Sequence, residues 1–257
     1  MLIHHRHWLL LTLLIAATSG TLLFAQEAGE VLVKRGMIAD DLYVAGRSVD
    51  VAAQVDGDVV VAGKLVSIDG LVSGDVLAAG ESVTIRAQVQ DDVRAAGRSV
   101  TLAGSVADHV AAAGETVVIA PAANVDGWAW LAGREVNVAG RIGRELKVAA
   151  QTVIVSGEVA GDVELMAEEI VIPASARING NLVYRSDKEP QIAEGAEIAG
   201  DIIARPVPYR EPEGRGAGLL VVAAQAVAAI VYVLLFPAFS VAGAERLRRT
   251  PFSALGI

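Results

Sequence analysis

Aspartates that recur at one position of a repeated unit are the residues best placed to do chemistry. They stand second in their units and comprise Asp41, Asp58, Asp75, Asp92, Asp162 and Asp201. Stacked carboxylates offer the oxygen ligands that Ca²⁺ prefers, or they cap backbone N–H groups where the chain turns. Other residues interrupt the series, namely His109, Trp128, Glu145 and Asn181. Because of these interruptions, and because the Gly-rich nine-residue calcium repeat is absent, the sequence predicts capping and no metal site.

His109 is the one histidine outside the first seven residues. It invites comparison with acyltransferases built of hexapeptide repeats, whose coils have about 18 residues and whose histidine stands beside a projecting loop. His109 instead takes an aspartate position in a unit without such a loop. Insertions of two or three residues elsewhere are too short for the substrate cleft of a carbohydrate-cleaving β-helix. The sequence therefore predicts no enzyme, no catalytic residue and no cofactor.

Trp128 and Trp130 fall at outward positions of one predicted strand. The column of Trp130 also contains Tyr43, Val60, Leu77 and Val183. Single exposed hydrophobic residues are normal, but a column that recurs across units can form a lateral contact surface. Both interpretations stay open at this point.

These residues are positioned by a repeat that covers residues 40 to 203. Units such as GDVVVAGKLVSIDGLVS and GDVLAAGESVTIRAQVQ align without gaps. Successive units are spaced by 17, 17, 17, 17, 19, 17, 17, 19 and 20 residues. The extra residues of the longer units are expected at one corner, between the second and third strands of the unit.

Within a unit, aliphatic residues alternate with other residues, which is the period of a β-strand. Three short strands per unit follow, with a glycine such as Gly63 or Gly80 closing the first face. Short corners between strands cannot form hairpins and keep one register, so the units must coil into a parallel β-helix. The predicted inward residues are Leu42, Val44, Val49, Val51, Val55, Val59, Val61, Val66, Ile68, Val72, Val76, Ala78, Val83, Ile85, Val89, Val100, Leu102, Val106, Val125, Val136, Val138, Ile142 and Val159.

The GDVVVAG, GDVLAAG and SGEVAGDV units, at about 17 residues per coil, resemble the bactofilins, which are polymer-forming cytoskeletal proteins of bacteria. The resemblance covers residues 38 to about 204. It implies a right-handed β-helix with three faces and with ends that join into filaments without nucleotide. The repeat itself predicts nine to ten coils. This chain departs from the usual cytoplasmic members because it carries an export signal and a membrane helix.

Composition excludes several classes of protein. The net charge is −9, from 21 Lys and Arg against 30 Asp and Glu, which argues against a nucleic-acid partner because phosphate binding needs clustered cations. The absence of cysteine excludes disulfides, thiolate metal sites and cysteine nucleophiles. The apolar fraction is 53% and the aromatic fraction only 4%, which favours thin β layers or membrane helices.

The two ends of the chain carry membrane signals. Residues 1–25 read as a secretory signal peptide, or as an uncleaved signal anchor because Leu23 is a poor match at the −3 position. A short lead-in, 26–37, precedes the β-helix domain at 38–204, and a Pro-rich linker occupies 205–216.

Residues 217–239 form an uncharged stretch longer than the roughly 20 residues that a membrane-spanning helix needs. Arg246, Arg248 and Arg249 follow it, so the positive-inside tendency places the basic tail at 240–257 in the cytoplasm. The β-helix is then extracytoplasmic, on the periplasmic or cell-surface side. The tail turns apolar again near residue 257, which leaves open a further membrane helix.

The functional prediction is a structural protein: a β-helical rod, tethered to the membrane, that self-associates or scaffolds partners. Open strand edges at the rod ends would supply the polymerisation surface. The alternative is a ligand-binding or sensory module whose ectodomain recognises a cell-envelope polymer or protein, and a remote alternative is an acyltransferase-like β-helix. The predicted partners are a second copy, the membrane and such an envelope component.

Overall fold

The computed structural model describes residues 27–206. The regular secondary structure in that part of the chain consists of β-strands alone. The predicted signal segment, most of the linker, the membrane helix and the basic tail lie outside the described residues. Within residues 27–206, no helix has the length and apolar character needed to cross a membrane.

Nineteen strands occur in the described part of the chain, and all of them belong to one parallel sheet. They are β1 (Glu27–Ile38), β2 (Leu42–Val55), β3 (Val59–Val72), β4 (Val76–Ile85), β5 (Gln88–Val89), β6 (Val93–Leu102), β7 (Ser105–Val106), β8 (Val110–Ile119), β9 (Asn124–Val125), β10 (Ala129–Val138), β11 (Arg141–Ile142), β12 (Leu146–Val155), β13 (Glu158–Val159), β14 (Val163–Ile172), β15 (Arg177–Ile178), β16 (Leu182–Arg185), β17 (Gln191–Ile192), β18 (Glu197–Ile198) and β19 (Ile202–Ala204).

The strands wind into a parallel β-solenoid of about 10 coils with about 17 residues each. Leu42 pairs with Val59, and Val59 pairs with Val76, so each residue lies beside its equivalent one coil later. The offset grows to 19 where Val110 pairs with Ala129. The parallel β-helix that the repeat predicts is therefore confirmed.

The core is a set of aliphatic columns that run along the solenoid. Every inward residue that the alternation predicts is buried, and no polar or charged residue of the described chain is buried. Each fully buried Val, Leu or Ile contributes about 1.5–3 kcal/mol relative to exposure. The core is thin, but because it continues through every coil it needs no large aromatic residue.

The glycine corner joins two of the predicted strands into one. Gly46, Gly63 and Gly80 pair with one another inside the continuous strands β2, β3 and β4, so the chain bends there without losing its ladder. A Cβ at Gly80 would lie 2.5 Å from the carbonyl oxygen of Gly63, which explains why glycine recurs there. Most coils thus have one long bent strand and one two-residue strand instead of three separate strands.

The longer units insert their residues where the sequence predicts, after the long strand. Each insertion is a tight turn closed by a backbone hydrogen bond, donated by Ala123 to Ala120 and by Ala176 to Pro173. The longest unit differs, because its register offset rises from 19 at Arg185 to 20 at Gln191. One of its extra residues therefore lies between Arg185 and Gln191, at the corner where earlier coils have glycine.

The solenoid begins earlier than the repeat indicates. β1, which covers most of the predicted lead-in, pairs in parallel with β2 from Glu27 to Ile38. Leu32 and Ile38 are partly buried against the core. β1 therefore forms a first coil, whose weaker sequence pattern hides its relation to the others.

A charge placed in the core tests the inward assignment. Val83 is 1% exposed, and Val66 and Val100 flank it in its column. We expect Val83→Asp to cost more than about 3 kcal/mol of unfolding free energy or to prevent folding, because a carboxylate without a partner would enter the apolar column. Thermal unfolding followed by circular dichroism measures this loss.

Thr84→Asp is the matched control, since Thr84 is adjacent and points outward. Its effect should stay within about 0.5 kcal/mol. Equal melting temperatures for Val83→Asp and the native chain would contradict the assignment.

Candidate functional site

The repeated aspartates form a hydrogen-bonded column that we call the Asp ladder: Asp41, Asp58, Asp75, Asp92, His109, Asp162, Asn181 and Asp201. Asp41 Oδ1 accepts from the backbone N–H of Asp58 at 2.9 Å, and Asp58 Oδ1 accepts from that of Asp75 at 2.8 Å. Each carboxylate thus caps the backbone one coil later. The predicted capping role is confirmed for Asp41, Asp58, Asp75, Asp92 and Asp162. Asp201, in the last described coil, donates its backbone N–H to Asn181.

Two of the expected interruptions in fact continue the ladder. The Nδ1 atom of His109 accepts from the N–H of Trp128 at 3.3 Å, and Asn181 Oδ1 accepts from the N–H of Asp201 at 2.9 Å. An imidazole nitrogen and an amide oxygen are acceptors like a carboxylate oxygen. Where this position caps the next coil, the side chain supplies an acceptor, which need not carry a negative charge.

Glycine precedes five of the eight ladder residues, and Asp40, Asp91 and Asp108 precede the others. At most of these glycines an added Cβ would crowd the acceptor atom of the previous coil. A Cβ at Gly74 would fall inside van der Waals contact of Asp58 Oδ1, and the same holds for Gly180 against Asp162 Oδ1. The recurring Gly-Asp pair of the sequence is thus one structural unit. Glycine clears the space that the carboxylate of the previous coil occupies.

Arg94 uses the second oxygen atoms of two ladder carboxylates. Its guanidinium donates to Asp75 Oδ2 at 2.8 Å and to Asp92 Oδ2 at 2.6 Å, while the Oδ1 atoms accept the backbone N–H groups. A cation between stacked carboxylates offsets their mutual repulsion. Asp91 lies outside this arrangement, and the charge of Asp75 raises the pKa of the Asp91 carboxyl above its ordinary value.

Two groups of side chains bring possible metal-ligand atoms within 4.8 Å of one another. They are Asp92, Asp108 and His109, and Asp75, Asp91 and Asp92. The ladder and Arg94 already engage both oxygens of Asp75 and Asp92. These groups are the residues that could hold a cation, and the absence of a metal site stays a prediction.

His109 has neighbours that account for its position. Its ring stacks on Trp128 with 4.4 Å between centroids, and Nδ1 lies 2.9 Å from Asp108 Oδ1. These contacts give His109 a structural role, and no contact among residues 27–206 assigns it a catalytic one.

The stack continues from Trp128 to Trp130, whose rings are 4.4 Å apart, and to Lys147, whose Nζ lies 5.2 Å from the Trp130 centroid. Trp130 is 48% exposed. Its register column contains the predicted residues Tyr43, Val60, Leu77 and Val183. That column also contains Arg94, Ala111, Lys147 and Glu164, so it is not a continuous apolar stripe, and neighbouring side chains bury Val183.

A groove lies beside Trp130, with a cavity volume of about 390 Å³. We call it the Trp130 groove. One side carries Trp130, Lys147 and Glu164, its floor contains Ala132 and Ala149, and Met166 and Arg185 continue the column of these alanines in the next two coils. The sequence interpretation found only Trp130 among these residues. A signal for the others exists, because Met166 and Arg185 replace the alanines that fill their column in the preceding seven coils.

No protein-family model matches the chain, and no curated protein or solved structure matches it either. The class of protein is thus given by the fold alone, a parallel β-solenoid with an aspartate capping ladder.

The ladder is tested by removing one acceptor. Asp58→Ala should lower the unfolding free energy by about 1–2 kcal/mol, because the N–H of Asp75 loses its acceptor. Asp58→Asn should retain most of the stability, since Asn181 performs this role in the native chain. Thermal and urea unfolding give both values. A calcium-binding role would instead make Asp58→Asn as damaging as Asp58→Ala and would make stability depend on Ca²⁺.

Asp91 provides a test of charge repulsion along the column. Its raised pKa means that the folded state disfavours the carboxylate, so this group's contribution to stability rises as pH falls through the raised pKa. Asp91→Asn should therefore raise the melting temperature slightly at pH 7. The gain should shrink in high salt and vanish below about pH 4, where the unfolded carboxyl also begins to be protonated. A lower melting temperature at pH 7 would contradict this assignment.

Proposed function

We propose that the chain is a structural protein, a β-helical rod that self-associates or scaffolds partners. In this proposal the rod is tethered to the membrane and lies on the extracytoplasmic side. The observation that supports it best is the stacking of about 10 similar coils, in which the last described coil leaves apolar residues at a strand edge. Such an edge is a template for pairing with another chain.

The C-terminal end of the described rod presents this edge. Ile202 in β19 continues the core column of Leu42 and pairs with Leu182. Leu182 is fully buried, whereas Ile202 is 51% exposed. A second copy stacked on β19 would extend the apolar column and bury Ile202.

The N-terminal coil is different, because a charged residue stands in a core column. Lys34 in β1 pairs with Val51, and its position continues the column of Val51 and Ile68. A charged residue at an inward position is a known device against edge-to-edge association. The two ends therefore differ, and the C-terminal end is the better surface for stacking.

The finer description follows the bactofilin resemblance: a right-handed solenoid with three faces whose ends join into filaments. The signal segment at 1–25 and the membrane helix at 217–239 complete the proposal and supply the extracytoplasmic location. The repeat length of about 17 residues and the in-register ladder support this description.

A ligand-binding module is the second candidate. The observation that favours it is the Trp130 groove, which combines an exposed aromatic residue with donor and acceptor side chains. Ligand sites typically combine an apolar lining with a few converging polar groups.

Two neighbouring isoleucines test the stacking proposal. Ile202→Lys places an ammonium in the exposed core column and should raise the concentration for assembly of the full-length chain at least about tenfold. Ile203→Lys is the matched control, because Ile203 is in the same strand, is 38% exposed and points away from the core. Sedimentation velocity and electron microscopy of the detergent-solubilised chain measure the assembly.

Filaments or concentration-dependent oligomers that weaken only with Ile202→Lys would support the proposal. A monomer at all concentrations, or equal effects of both substitutions, would contradict stacking through this end.

A further inference from the structure

The Trp130 groove is built where the alanine column ends. Ala132 and Ala149 are exposed and pair with each other, and Met166 and Arg185 follow in the next two coils. Small side chains next to the large ring of Trp130 leave an open channel along the rod. Residues from four coils line this channel, over about 14 Å at about 4.8 Å per coil, and the larger side chains of Met166 and Arg185 stand at its end.

The aromatic wall of the groove is held in place from behind. Trp128 packs against Trp130, and His109 stacks on Trp128, so the three rings form one aromatic cluster. His109 and Trp128 are also joined through the Asp ladder. A ring that is fixed before binding loses little conformational freedom when a ligand covers it.

The charged side chains of the groove form ion pairs within the protein. Lys147 Nζ lies 3.3 Å from Glu145 Oε1, and Arg185 pairs with Glu164. No net charge is left to attract a phosphate or another polyion. These groups nevertheless present donors and acceptors beside the apolar surface of Trp130 and Met166.

We propose that the Trp130 groove binds an uncharged oligosaccharide that lies along the rod axis. A pyranose ring has an apolar C–H face and a rim of hydroxyl groups. Its polarised C–H bonds suit the negative face of an indole, and its hydroxyl groups suit the mixed donors and acceptors of Lys147, Glu164 and Arg185. The lining residues extend over about 14 Å, which is longer than one such ring, so an oligosaccharide can contact more of them than a single sugar can.

An apolar protein surface fits the groove less well. It would cover the Glu164–Arg185 pair without replacing the hydration of those groups, which costs free energy. A sugar replaces this water with hydroxyl groups. The inference deepens the second candidate function and does not depend on stacking of the rod ends.

The test is isothermal titration calorimetry of the full-length chain with cellotetraose and with tetra-N-acetylchitotetraose, both of which are uncharged. We expect at least one of these probes to bind and Trp130→Ala to weaken its binding about tenfold. Leu77→Ala is the matched control, because Leu77 shares the column of Trp130, is 40% exposed and lies outside the groove. It should leave the affinity unchanged.

A second pair of variants leaves the rings of His109, Trp128 and Trp130 intact. Ala149→Gln fills the exposed floor of the groove and should weaken binding about tenfold or more. Ala96→Gln makes the same change at an exposed position of the same column, three coils earlier, and should have no effect. Melting temperatures of the four variants should stay close to that of the native chain.

Binding that depends on both Trp130 and Ala149 would support the proposal. The absence of binding heat with both tetrasaccharides at millimolar concentration would overturn it. A change of oligomer size in Trp130→Ala would overturn it as well, since the groove would then bind a second copy. Stacking of the rod ends is tested separately through Ile202, so either proposal can fail alone.

Discussion

In-register parallel pairing between coils is the constraint on which the rest of this structure depends. It places paired residues about 4.8 Å from their equivalents in the next coil, so each inward column stacks similar side chains on one another. Aliphatic residues gain from this arrangement, because each coil buries the apolar surface of its neighbours. Charged residues do not gain from it, because like charges stacked at this distance repel each other. A column of carboxylates therefore requires a further stabilising interaction.

The hydrogen bonds of the Asp ladder provide that interaction. Each carboxylate accepts a backbone N–H from the following coil, so neighbouring aspartates are separated by a donor instead of facing each other directly. Arg94 neutralises two of the remaining oxygens, and glycine clears the space that the carboxylates need. The Asp91 carboxyl lies outside this arrangement, and its pKa is raised because the charge of Asp75 disfavours a second carboxylate nearby.

Outward columns are freer, because their side chains contact solvent and need not repeat. Opposite charges in successive coils pair along the rod, as Arg86 does with Asp69 and Arg134 with Glu115. The same freedom lets Trp130 stand in a mixed column and lets Met166 interrupt the column of alanines, and a groove forms between them. A regular core thus provides a rigid support, and the local irregularities of its surface are the places where recognition can occur.

Period-two alternation and the near-constant repeat length were enough to predict the solenoid, its buried columns and the capping role of the aspartates. Each of these follows from the recurrence of residue types at a fixed interval, which the sequence displays directly. Spacing could not show that the ladder continues through His109 and Asn181, because hydrogen bonding depends on which atoms meet. It also could not show that β1 is a coil, since Lys34 and the neighbouring residues break the pattern. The Trp130 groove was decided only by tertiary structure, because Trp130, Met166 and Arg185 are far apart in the chain and meet through the stacking of four coils.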